Sequence, residues 1–61
     1  MRKLVEKFLN RIVKVELQGG SVSVGELTSA EETLLEITHR DGLKSIISYG
    51  CISQIVELPR R

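Results

Sequence analysis

The chain has 61 residues, 41% of them hydrophobic and 28% charged, with a formal net charge of +1. That balance excludes disorder throughout and holds one domain, while near-neutrality gives neither a basic footprint for nucleic acid nor an acidic tail. A single cysteine, Cys51, and a single histidine, His39, exclude an internal disulfide and a Cys/His metal site, and no apolar run approaches the ~18 residues of a membrane span.

Segment 1–11 reads as a helix. Leu4, Val5, Phe8, Leu9 and Ile12 fall on one face, with Arg2, Lys3, Glu6, Lys7, Asn10 and Arg11 on the other. The mixed charge and short length favour a helix capping one end of a sheet over one lying on a membrane or docking a partner. The opening "MRKLVEKFLN" has no uninterrupted apolar core and makes a poor signal peptide, so a reduced, cytoplasmic setting is expected.

Five strands are expected over 12–59. "IVKVEL" (12–17) places Val13, Val15 and Leu17 together. Gly19-Gly20 supplies a tight turn. "SVSVGEL" (21–27) alternates Val22 and Val24 with Ser21 and Ser23, then changes parity so that Leu27 is the next apolar residue. A bulge or sharp bend at Gly25 accounts for the change. After "TSAEE" (28–32), "LLEITHR" (34–40) places Leu35 and Ile37 on one face. Asp41-Gly42 marks a hairpin before "KSIISY" (44–49). "GCISQ" (50–54) is too short for a hairpin loop and is expected to form a single tight helical turn, and "SQIVELP" (53–59) pairs Val56 with Leu58 on one face and stops at Pro59.

No connector is long enough for a helical crossover, so neighbouring strands run antiparallel. A strongly bent five-stranded sheet curling into a small barrel is the expected way to bury one face. A domain of ~60 residues buries only about 60% of its unfolded surface, so self-association is the expected source of further stability.

"KFLNRI", "LQGGSVSVGEL" with Leu17, Gly20 and Gly25, and "YGCISQIVELPRR" with Ile52, Ser53, Pro59 and Arg60 together resemble the Sm-like family. The nearest branch is that of the bacterial RNA chaperone Hfq. The resemblance spans nearly the whole chain, as one Sm-like domain over 1–61 with a small SH3-like barrel. It implies a homo-oligomeric ring, most often of six or seven subunits, in which strand four of one subunit pairs with strand five of the next. Ile46, Ile47, Ile55 and Val56 are the expected interface residues.

The resemblance also implies an RNA site near the pore. Glu31 or Glu32 stands near the family's acidic position, Thr33 where a stacking aromatic would be, and Tyr49 and Gly50 where the Hfq branch carries a Lys-His pair. Tyr49 could stack a base or serve as a packing residue, and packing is favoured. The opposite ring face offers Ser21, Ser23 and Val24, which are small and neutral. Arg2, Lys3, Lys7 and Arg11 on the helix, with Arg60 and Arg61, would form a collar of positive charge in a ring, or else a solvated surface. His39 reads as an exposed turn residue and Cys51 as a small buried filler. With no carboxylate pair, Ser-His-Asp set, phosphate loop or metal cluster, neither enzyme activity, a cofactor nor a small-molecule substrate is expected. The expected function is an RNA-binding ring, as a chaperone or scaffold with weak sequence preference. The alternatives are a structural or protein-binding ring without RNA recognition, and a monomeric adaptor.

Overall fold

The computed structural model describes residues 1–59. A short helix, α1 (Arg2–Val5), runs into a 3₁₀ turn (Glu6–Phe8). Five strands follow: β1 (Ile12–Leu17), β2 (Val22–Ala30), β3 (Leu34–Thr38), β4 (Lys44–Ser48) and β5 (Ile52–Glu57). A second 3₁₀ turn, Tyr49–Cys51, links β4 to β5. The strands form one antiparallel sheet in the order β4-β3-β2-β1-β5. The architecture is therefore mainly β, an N-terminal helix followed by five antiparallel strands. The sheet is not closed, because β4 and β5 stand at opposite edges.

The helical segment ends at Phe8 rather than at residue 11. Leu9 is extended (ψ 136°) and Asn10 adopts a positive φ of 66°, a conformation that asparagine tolerates better than most residues. The Asn10 N–H then donates to the Leu27 carbonyl at 2.8 Å, and the chain is already joined to the sheet. So short a helix cannot bury a full stripe. Val5 enters the core and Phe8 and Leu9 pack against it, but Leu4 stays 61% exposed.

The two hairpins are built alike. In the first, Leu17 N–H donates to the Ser21 carbonyl and Gly20 N–H to the Leu17 carbonyl; in the second, His39 N–H donates to the Leu43 carbonyl and Gly42 N–H to that of His39. Each has a three-residue loop ending in a glycine of positive φ, 94° at Gly20 and 90° at Gly42. The Asp41 carboxylate accepts from the Leu43 N–H at 3.0 Å and fixes the second loop.

β2 behaves differently from expectation. Ser23, Gly25 and Leu27 pair with or neighbour the buried Val15, Val13 and Ile37, while Val22 and Val24 face outward, 54% and 44% exposed. Parity does not change at Gly25. It changes at Thr28, where the β2–β3 register shifts between Leu27 and Ser29, so that Ala30 rather than an odd-numbered residue packs on the core. β2 consequently runs to Ala30, and the connector shrinks to residues 31–33. Gly25 answers to a different constraint: a Cβ there would lie 2.6 Å from the Thr38 carbonyl oxygen and 2.7 Å from Ile37 Cγ2.

The core is Val5, Val13, Val15, Leu27, Leu35, Ile37, Ile47, Tyr49 and Ile52. In β5 the inward residues are Ile52 and Ile55, whereas Val56 sits opposite Lys14 on the outer face. A second register shift, between Glu16 and Leu17 of β1, leaves Ser53 unpaired as the extra residue of β5.

Candidate nucleic-acid and assembly surfaces

The helix side of the molecule carries the basic residues, but half of them are already engaged. The Arg2 guanidinium bonds the Glu6 carboxylate at 3.0 Å and also Glu32, tying α1 to the β2–β3 connector. Those two carboxylates hold the Arg2 pKa above its ordinary value, the hydrogen bond to Glu6 contributing most. Arg11 bonds Glu57 at 2.9 Å. Among the described residues Lys3 and Lys7 are exposed and join no ion pair. The expected collar of four helix cations thus retains two uncompensated ones. Arg60 and Arg61 lie outside the described residues.

The residues expected to hold a base are brought together, but not as a base pocket. Tyr49 is only 8% exposed and belongs to the core. Its hydroxyl donates to the Glu31 carbonyl at 2.6 Å and its N–H to the Thr33 carbonyl at 3.0 Å. Removal from water raises the Tyr49 pKa, with smaller opposing effects from Arg2 and Glu31. The tyrosine therefore clamps the β2–β3 connector from below and presents no open ring face for stacking. Glu31, Glu32, Thr33 and Gly50 are exposed around it. The Glu31 carboxylate accepts from Ser29 Oγ at 2.9 Å. This rim is acidic, which repels phosphate.

His39 is not a free turn residue. Its Nδ1 lies 2.9 Å from the Val24 carbonyl and its Nε2 2.7 Å from Ser45 Oγ. A carbonyl only accepts, so Nδ1 carries the proton, and in the neutral ring Nε2 accepts from Ser45. The imidazole links β2, β3 and β4 at one end of the sheet. Nearby, Thr28 at the bulge bonds the Glu36 carboxylate at 2.6 Å and the Thr38 hydroxyl at 2.9 Å. Cys51 is exposed, not buried: of the 3₁₀ turn that holds it, Tyr49 is the residue that enters the core. Neither network has a signal in the sequence: their members lie between six and fifteen residues apart and meet only through strand pairing.

The four residues expected at a subunit interface divide. Ile46 is 59% exposed on the edge strand β4, and Val56 is half-buried on the outer face of β5. Ile47 is buried in the core and Ile55 packs against it, so their side chains mainly serve the chain's own fold. Beside β5, Met1, Leu4, Phe8, Ile52 and Ile55 line an apolar groove of about 190 Å³. Among the described residues no helix is long and apolar enough to cross a membrane, and no three His, Cys, Asp or Glu side chains are grouped to hold a metal ion. Comparison with known proteins finds no matching family model, no matching curated protein and no matching solved structure.

Proposed function

We propose that this chain is an Sm-like protein that assembles head to tail into a ring and binds single-stranded RNA weakly, through phosphates, on its helix side. The observation that carries the reading is the strand order β4-β3-β2-β1-β5, which leaves β4 and β5 as two unpaired edges of five and six residues on one chain. Open edges invite pairing, and a ring removes every one of them. The sequence motifs through Leu17, Gly20, Gly25, Ile52 and Pro59 support the same family. Lys3 and Lys7, repeated around a ring, supply the positive charge.

A second reading, a ring that scaffolds proteins and ignores RNA, is favoured by one specific observation: the candidate stacking residue Tyr49 is committed to the core and its rim is acidic. Light scattering with and without an oligo-uridine separates the two. A multi-subunit mass that rises with RNA at low salt supports RNA binding, a multi-subunit mass indifferent to RNA supports the scaffold, and a single-chain mass removes both.

A further inference from the structure

The outer face of the sheet carries valines at positions where a solvated face carries polar side chains. Val22 and Val24 are exposed there. Across the strands Val24 stands opposite Lys14, and Lys14 opposite Val56, so two valines flank one lysine stem. Ile12 stands opposite Glu26 in the same register. Ile12 and Val56 are half-buried, so this apolar strip stays open to water in a single copy.

Charges on this face are mostly matched within the chain. Lys14 pairs with Glu16 at 3.6 Å and Lys44 with Glu36 at 4.0 Å. Glu26 and Arg40 differ: among the described residues neither joins an ion pair. Both line one depression of about 430 Å³ together with Ile12, Val24 and Thr38. Glu26 stands opposite Thr38, and the antiparallel register continued by two residues brings Val24 beside Arg40. Four side chains thus mark the corners of a rectangle, with Glu26 and Arg40 on one diagonal and Val24 and Thr38 on the other.

Opposite unpaired charges on one diagonal make the patch complementary to itself. An isologous contact rotates one copy by half a turn about an axis lying in the interface, so residue i meets residue j and j meets i. With that axis along the Val24–Thr38 diagonal, Glu26 of each copy meets Arg40 of the other, and Val24 meets Val24. One contact then buries the valines and satisfies both charges. A polyanion fits the patch less well, because Glu26 repels phosphate and the exposed side chains beside it are valines. We infer that two copies of this chain pair back to back through the outer sheet face, Val24 on Val24, with a Glu26–Arg40 ion pair on either side of the two-fold axis. This contact uses neither sheet edge. It doubles a single chain or a closed ring alike, and it does not depend on the assembly proposed above.

Charge reversal tests it, with native mass read by light scattering. Glu26→Arg alone and Arg40→Glu alone each set like charge against like at both ion pairs, so either variant should show half the mass of the parent. Mixed in equal amounts the two variants should recover the parent mass, because each contact between unlike chains again joins opposite charges. Val24→Lys should also halve the mass and, since Val24 is exposed in one copy, should keep the strand circular-dichroism signal. Equal masses for parent and variants, or a mixture that stays at the lower mass, overturn the pairing. A parent at the lower mass whose affinity for oligo-uridine falls with Arg40→Glu overturns it too, since the patch then holds RNA. Whether the halved mass is that of one chain or of several reports on edge assembly separately.

Discussion

Gly25 and Gly19 sit in neighbouring segments and have opposite reasons to be glycine. A methyl group at Gly25 meets the Thr38 backbone oxygen, which cannot rotate away, whereas a methyl at Gly19 meets nothing within 4 Å. Gly25→Ala should lower stability by roughly 1–3 kcal/mol, as overpacking against a fixed neighbour does, while Gly19→Ala should be close to neutral. Urea melts of the two variants check this; equal midpoints would remove the close-approach account. Tyr49 makes a second prediction at this scale. Its pKa is raised in the folded state above the ordinary 10.0, so the fold retains a proton that the unfolded chain loses. The stabilising effect is complete below pH 10 and is lost as pH climbs through the higher folded value. Tyr49→Phe should flatten that alkaline loss and cost about 1 kcal/mol at neutral pH through the missing bond to Glu31. Melts between neutral and strongly alkaline pH measure both effects.

At the scale of elements, the helix is the weakest unit. Four α-helical residues followed by one 3₁₀ turn have no stability of their own, and they hold position by what they touch. Val5 in the core and the Arg2 contacts with Glu6 and Glu32 are those attachments. The ion pairs are exposed and screened by salt, so the packing of Val5 anchors the helix more strongly than they do. Val5→Ala should cost about 2 kcal/mol, from the lost methyl groups and the space they leave; chemical melts measure it. In hydrogen exchange, the amides of Leu4 and Val5, both bonded to the Met1 carbonyl, should lose protection before those of β1. The strands were legible because each carries alternation or β-branched residues: β1 has the predicted bounds, and β3 and β4 have the predicted starts. The hairpin loops were legible because glycine and Asp-Gly act locally. The end of β2 was not, since "TSA" looks like a connector until Thr28 finds Glu36 and Thr38 across the sheet.

The whole molecule presents charge that the linear chain disguises. Arg2 is neutralised by Glu32, thirty residues away, and Arg11 by Glu57, forty-six away. Only Lys3 and Lys7 remain as uncompensated helix cations among the described residues. If RNA is held by phosphate contact, its affinity should fall linearly in a plot of log K against log salt. Lys3→Ala and Lys7→Ala should each reduce that slope by about one, since each removes one cation from a phosphate. Fluorescence anisotropy with oligo-uridine at several salt concentrations reads it, and uridine-selective binding insensitive to salt would contradict the phosphate account.

Taken alone, the chain's residues determined the class of fold. Short-range alternation, the Gly19-Gly20 and Asp41-Gly42 turn signals and the lack of any long connector leave little besides an antiparallel sheet with a helical cap. They also named Tyr49, Lys3 and Lys7 as residues to examine. Tertiary structure decided what each of them does. The face of β2 that turns inward, the burial of Tyr49, the clasp of His39 on Val24 and Ser45, and the two unpaired edges all depend on which strand lies beside which. That information is non-local: a one-residue bulge at Thr28 reverses the faces of the residues after it, and no nearby residue announces it.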